Sequence, residues 1–464
     1  MAHDGVDRAG PGAAAFAAFV FLLTAAPKVN IRVGPAPLYL IDGLIVLCLA
    51  YAVRAPGFPP GRRPFLSVVA SLYVLSVASE LGSVLYAGGG FEQIYLAGRT
   101  TLAFSAFYIT GQLVRGSADL RLALRAAALG TIVTASLMIL SSLPMTRAAV
   151  TDLVLAQRFL EPAADGVAAR FGSGGAYDEQ DAGGVRGRTL VGVSILGATF
   201  LNVLWPLAAL AARGTRDTLP WRSVAECACL LAPMGVLFSY SRGPIFGAFL
   251  IVAAVLALGL STLRRAVIGP VAAGAAVVLL IGVGSEVFFF ERLTRSSAKI
   301  FDETQVTRSE LERFHAYVEP FDHLLENPEF LILGEGNAVG RIAAAEKAGR
   351  ANHALFAQAY YANGMVAAFL YMLLLAQALH FAFWHVRRRR GGLGGGYAQA
   401  LLLSVIALLP WAAFGHAIVS TPRGMILFFV VLGLLTTLRR LPFDDPVPNP
   451  AEVRHGDSRH PAFG

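Results

Sequence analysis

Charge is scarce in this chain. Only 15% of its 464 residues are Asp, Glu, Lys or Arg, while 56% are hydrophobic and the mean hydropathy is +0.60. Soluble domains carry about 25% charged residues, so an ordinary solvated globule is excluded for most of the length. Cysteine is almost absent as well. Cys48, Cys227 and Cys229 all fall inside apolar runs, and neither a disulfide framework nor a zinc-ligand spacing can be built from them. Cys227 and Cys229 stand two apart on an expected helix and therefore point to different faces. Nucleotide-binding signatures are missing: there is no G-x-x-x-x-G-K-[ST] and no strand-turn-helix G-x-G-x-x-G, which argues against a nucleotide-driven cytoplasmic active site. His315, His323 and His353 follow no metal-ligand spacing, so no metal and no cofactor are expected. No internal repeat is visible. The N-terminal segment lacks a positive n-region ahead of its apolar stretch at 12–26, which favours a retained helix over a cleaved signal.

What is present is apolar sequence in blocks of about twenty residues, the length that crosses a bilayer as a helix. The blocks lie at 12–27, 37–53, 65–86, 95–113, 120–143, 189–212, 222–240, 243–261, 266–289, 353–385, 398–419 and 424–438. The expected fold class is therefore all-α, a polytopic membrane protein with about twelve transmembrane helices. Arginines mark alternate connections: Arg54, Arg62 and Arg63; Arg115, Arg121 and Arg125; Arg213, Arg216 and Arg222; Arg264 and Arg265; Arg387 to Arg390; Arg439 and Arg440. By the positive-inside rule these connections and both termini are cytoplasmic. The net charge of +8 thus reads as a set of topology signals, with no nucleic-acid partner expected.

Two long segments then fall outside. Residues 144–188 hold the Gly-rich "GSGGAYDEQDAGG"; residues 290–352 include "RSELERFHAYVEPFDHLLENPEF", whose apolar Leu311, Phe314, Val318, Phe321 and Leu325 recur at helical spacing. Residues 1–440 form one transmembrane domain including these extracytoplasmic loops, and 441–464, with "PFDDPVPNP", is a cytoplasmic tail expected to be disordered.

The chemistry is sought on the outer side. "FSYSRGPIFGAF" (238–249) places Arg242 on a short turn between two apolar runs whose one charged residue is Glu226. The plain reading is an arginine snorkelling to headgroups. The functional one uses Pro244 in the first turn of a new helix, whose free amides could hold an anion together with the guanidinium. Arg188 and Arg186 stand at the outer entrance of the sixth block, and arginines converging at one depth would suit a pyrophosphate. His353 stands where the outer loop enters the tenth block. Such a histidine is usually a cap or packing residue, yet a neutral imidazole there could take a proton from a sugar hydroxyl. Acidic residues near the outer surface are Asp42, Glu80, Glu286, Asp302, Glu303, Glu335 and Glu346. Asp42 and Glu80 are expected to be hydrated at span ends, and any of the set could pair an arginine.

Taken in order, these segments resemble the O-antigen ligase and O-antigen polymerase superfamily of bacterial envelope membrane glycosyltransferases. "SRGPIFGAFLIVAAVLAL" is similar to its Ser-Arg-Gly helix start. An arginine-bearing outer helix (Arg308 or Arg313) followed by "ENPEFLILGEGNAV" resembles its Pro…Gly-x-Gly element, and "NHALFAQAYYANGMVAAFLY" resembles its His-Asn-x-x-Leu…Gly helix start. Arg188 precedes Arg242 at a spacing like that of the family's upstream arginine. The resemblance covers most of 185–440, and it rests on order, spacing and sidedness, since no single motif is specific. Ala354 stands where the family has Asn, and Asn352 precedes the histidine instead. The polymerase pattern of arginine, ten residues, glycine fits Arg186 to Gly197 without a second copy, which leaves polymerase and ligase both open.

The resemblance implies a GT-C-like fold in the bacterial inner membrane and a donor glycan on undecaprenyl pyrophosphate. Arg242, Arg188 and Arg186 would bind the pyrophosphate, and His353 would act on a glycan or lipid acceptor. Arg313, Arg308, Glu335 and Asn352 would be further substrate contacts, with no metal needed. The products would be surface polysaccharide, O-antigen or exopolysaccharide. A protein O-oligosaccharyltransferase is the alternative of the same class, and a lipid-linked glycan flippase the rival of another. A flippase should line a mid-membrane path with charge.

Overall fold

The computed structural model describes residues 9–25, 30–33, 36–55, 64–86, 91–143, 145–146, 149–150, 194–213, 218–239, 241–284, 322, 325–336, 355–389, 392–414 and 422–440. Among the described residues there are twelve α-helices of fifteen residues or more. They are α1 (Pro11–Ala25), α2 (Leu40–Arg54), α3 (Leu66–Tyr86), α4 (Phe91–Leu113), α5 (Ser117–Ser142), α6 (Ser194–Arg213), α7 (Leu219–Phe238), α8 (Arg242–Ala257), α9 (Ser261–Gly284), α10 (Leu355–Arg388), α11 (Gly392–Phe414) and α12 (Pro422–Thr437). Each falls on one of the twelve apolar blocks. Six of them, α3, α5, α6, α7, α10 and α11, are long and apolar enough to cross a membrane; α1, α8 and α12 are shorter apolar helices. The chain is a multi-pass helical membrane protein.

The all-α expectation needs one correction. Strands β1 (Asn30–Val33) and β2 (Ala36–Tyr39) form an antiparallel hairpin ahead of α2, with Asn30 opposite Tyr39 and Val33 opposite Ala36. The apolar block beginning at 37 thus starts as a strand. Short apolar runs do not distinguish strand from helix.

Basic residues at several helix ends gather at one end of the bundle. The Arg389 guanidinium donates to the Leu438 carbonyl at 2.8 Å, Arg440 donates to the Gly111 carbonyl, and Arg125 lies over the Trp221 ring at 4.9 Å. These contacts join the ends of α10, α12 and α4 and the starts of α5 and α7. At the same end Asp119 starts α5 by accepting the Arg115 and Gly116 amides at 3.0 and 3.1 Å.

Sequence composition explains which helices lie inside. The membrane-length window of α6 is 94% buried within the protein, and every residue of α12 after Pro422 is buried. Both are apolar on all sides, as a helix surrounded by others must be. Glycines set the closest approaches: a side-chain carbon at Gly433 of α12 would strike Thr110 of α4, and one at Gly235 of α7 would strike Leu201 of α6. The outer helices instead show apolar stripes to their surroundings: Met365, Val366, Phe369 and Met372 on α10, and Phe246, Phe249 and Leu256 on α8, are exposed. Exposed apolar rows of this extent suit lipid contact.

Helix α3 is amphipathic in the inverted sense. Val74, Leu81 and Leu85 are exposed on one side. Ser76, Ser79, Glu80 and Ser83, at i, i+3, i+4 and i+7, are buried on the other side, where α3 packs against α10. This stripe leads to the candidate site.

Candidate functional site

At the end of the bundle away from the basic connections, α10 is broken at Gly364. Its backbone there has φ 81° and ψ 173°, a conformation open in practice to glycine alone. The break divides α10 into an entering segment, 355–363, and a longer one, 365–388. The longer segment by itself measures about 36 Å, enough for a hydrocarbon core of about 30 Å.

A break at this depth leaves backbone groups without helical partners, and a second segment supplies them. The short 3-10 turn Pro328–Phe330 leads into residues 331–336, which run alongside the break. The Met365 amide donates to the Leu331 carbonyl at 2.9 Å instead of completing the helix. The Tyr361 and Ala362 carbonyls accept from the Glu335 and Gly336 amides at 3.0 and 2.9 Å. Ser79 of α3 adds a hydroxyl hydrogen bond to the same Ala362 carbonyl. Three segments thus interlock around one helix break, and they satisfy the Tyr361 and Ala362 carbonyls and the Met365 amide. Non-helical backbone at membrane depth persists where protein satisfies it in this way.

The Gly-Glu-Gly stretch is fitted to that position. A side-chain carbon on Gly336 would lie 2.8 Å from the Ser83 hydroxyl and 3.3 Å from Glu80 Oε2, and one on Gly364 would fall on the Ile332 carbonyl. Glu335, between the two loop glycines, is buried and neighbours the Tyr361 hydroxyl. Glu80 is fully buried, within electrostatic reach of the Tyr371 hydroxyl, which neighbours Ser76. The Ser76 and Tyr371 hydroxyls neighbour each other without reaching hydrogen-bond geometry, and among the described residues both lack another partner. Asn363, the residue before the break, is 0% exposed, and its amide nitrogen and oxygen both lack partners among the described residues. Leaving a buried amide unpaired is costly, about 1–3 kcal/mol per group, and polar groups retained at such cost cluster where function needs them.

The expectation of hydrated acids at span ends is therefore corrected for two residues. Glu80 is buried at 0% exposure against the loop turn, not wet. Asp42 is buried at the start of α2, where Oδ2 accepts the Tyr39 amide at 3.0 Å and Oδ1 pairs Arg99 at 3.5 Å. The Arg99 guanidinium also lies over the rings of Tyr39 at 4.6 Å and Tyr95 at 5.7 Å. Burial exceeds the sequence expectation because loop and hairpin fold over the helix ends. Glu226 stays near the start of α7, exposed, paired with Arg222 at 3.2 Å.

Arg242 is the first residue of α8, after a short turn that follows the end of α7 at Phe238. The Ile245 amide donates to the Ser241 carbonyl at 3.1 Å, so Pro244 lies in the first turn as its sequence position anticipates. Asn202 of α6, buried, donates its side-chain amide to the Pro244 carbonyl at 2.6 Å and ties this helix start to the central helix. Of the residues singled out from the sequence, Glu335 joins the interlocked cluster, and the Arg242 backbone lies at the same end of the bundle. Arg186, Arg188, Arg308, Arg313, Asn352 and His353 lie outside the described residues, as do most of 144–188 and 290–352 and the tail after 440.

Sequence reading missed Ser76, Ser79, Ser83, Tyr361, Asn363 and the break. Two signals were available: a polar i, i+3, i+4, i+7 row in an otherwise apolar span, and Asn-Gly, a turn dipeptide, inside another. Compared with known proteins, the chain matches no protein-family model and no curated protein.

Proposed function

We propose that the protein is an integral membrane glycosyltransferase that transfers or polymerises glycan from an undecaprenyl-pyrophosphate donor, in surface polysaccharide synthesis. It would work at the periplasmic face of the bacterial inner membrane, with both termini cytoplasmic. The observation that carries this reading is the interlocked break at Gly364, which joins the Gly-Glu-Gly turn to the first segment of α10, the segment that follows Asn352 and His353 in sequence. Those are the two outer segments whose order resembles the O-antigen ligase and polymerase superfamily, and the Arg242 helix start belongs to the same end of the bundle.

In this reading the acceptor hydroxyl oxygen attacks the anomeric carbon of the donor glycan. The bond from that carbon to the pyrophosphate oxygen breaks, and the electron pair leaves with undecaprenyl pyrophosphate. The hydroxyl proton passes to His353. Arg242, with Arg188 and Arg186, offsets the charge growing on the leaving pyrophosphate, a role suited to positioned cationic donors. The first-turn amides of α8 add partial positive charge in the same place.

The test is reconstitution of purified protein in liposomes with a lipid-pyrophosphate oligosaccharide, followed by sizing of the product. A ladder identifies a polymerase, and a single addition to a lipid or glycan identifies a ligase. Addition to a protein identifies an oligosaccharyltransferase. Arg242→Ala and His353→Ala should each reduce transfer at least ~100-fold with membrane insertion intact; full transfer by both would remove them from the site. Burial of Glu80 within a membrane-length helix is the observation that favours the flippase rival. That rival requires donor stranded on the cytoplasmic leaflet when Glu80 is replaced, which leaflet-resolved lipid analysis reads directly.

A further inference from the structure

The entering segment 355–363 is buried almost throughout, and Glu80 stands beside the turn whose amides bond its last carbonyls. Below the break, its charge reaches the Tyr371 hydroxyl on the long segment of α10. In the bridging turn, whose Gly336 amide holds the Ala362 carbonyl, a side-chain carbon on Gly336 would lie 3.3 Å from Glu80 Oε2. Next to Glu80 in sequence, Ser79 donates to that same carbonyl, and about one turn further along α3 Ser83 closes against Gly336. Glu80 therefore lies beside the turn that bridges the break and within electrostatic reach of the helix below it.

A wholly buried carboxylate is a poor choice for stability alone, because an apolar side chain of similar size avoids the desolvation cost. Its use is geometric. We propose that Glu80 is a positioning residue: its carboxylate seats the Gly334–Gly336 turn and thereby fixes segment 355–363 at the entrance of α10. The consequence for catalysis rests on the glycosyltransferase reading; the consequence for the interlock does not. A displacement of about 1 Å at reacting groups costs on the order of 100-fold in rate, so losing this seat should appear mainly in turnover.

The experiment uses full-length protein in nanodiscs and compares wild type with Glu80→Ala, Glu80→Gln and Gly336→Ala. Hydrogen exchange is read at the Glu335, Gly336 and Met365 amides, the donors of the interlock. Transfer kinetics are measured with a lipid-pyrophosphate oligosaccharide. Glu80→Ala and Gly336→Ala should raise exchange at those three amides at least ~10-fold, leaving α6 and α12 protected as in wild type. Both should lower kcat ~30- to 100-fold, with the donor KM within about threefold. Glu80→Gln, which retains shape and an acceptor oxygen, should restore at least ~10-fold of the lost kcat.

Unchanged exchange in Glu80→Ala and Gly336→Ala overturns the proposal whatever the activity. Raised exchange with wild-type kcat overturns the positioning role, and so does a loss confined to KM. Failure of wild type to transfer glycan from the donor counts against the glycosyltransferase reading, and the exchange result still decides whether Glu80 seats the turn. If Glu80→Ala does not fold, Gly336→Ala and Glu80→Gln carry the same comparison.

Discussion

Asn363 and Gly364 form an adjacent pair with opposite requirements. Gly364 is needed by its backbone: φ 81° and ψ 173° exclude side chains, and the Ile332 carbonyl occupies the place a side chain would take. Gly364→Ala should therefore cost about 3 kcal/mol or more, from strain and the displaced turn together, visible as a lower thermal midpoint in detergent. Asn363 contributes nothing to stability that the described structure reveals, since neither end of its amide is bonded among the described residues. Asn363→Leu should raise stability by about 1–3 kcal/mol in denaturant titration. If the amide serves the reaction, the same variant should lose transfer, the usual relation between stability and function at a site. A stability gain with full transfer would assign Asn363 no functional part.

At the scale of elements, two devices shape this end of the bundle. Helix α3 turns its serines and Glu80 inward and its apolar residues outward, so its composition makes sense only with lipid on one side and α10 on the other. The hairpin of β1 and β2 is pinned by Asp42, which caps α2 and pairs Arg99 while Tyr39 and Tyr95 sandwich the guanidinium. Asp42→Ala removes the cap and leaves Arg99 without that partner. It should destabilise the protein by about 1–3 kcal/mol in denaturant titration, and Arg99→Ala should add little to it, because the two losses share one interaction.

For the whole molecule, the basic ends of α4, α10 and α12 and the starts of α5 and α7 meet at one end of the bundle, and charge should decide which compartment that end meets. In a background with Cys48, Cys227 and Cys229 replaced, a cysteine at Met145, which is 98% exposed, should react with a membrane-impermeant maleimide in intact spheroplasts. A cysteine at Leu258, beside the basic start of α9, should react only after permeabilisation. The reversed pattern would invert the orientation and place the Gly364 cluster in the cytoplasm.

The number and order of the helices were legible in the linear chain, because apolar run length answers to the bilayer and not to any particular neighbour. Arg242 at a helix start was legible for a related reason: Pro244 and the charge both mark where a span begins. The hairpin before α2 was not, since four apolar residues suit strand and helix alike until a partner strand is present. Burial of Glu80 and Asp42 was also beyond reach of the chain alone. A span-end acid is wet or buried according to what folds over it, and here a turn some 250 residues later in sequence and a preceding hairpin do so. The broken helix is the clearest case. Asn-Gly announces that a turn is possible, but the break holds only because residues 331–336 and Ser79 take up the hydrogen bonds it releases, an exchange that exists in three dimensions alone.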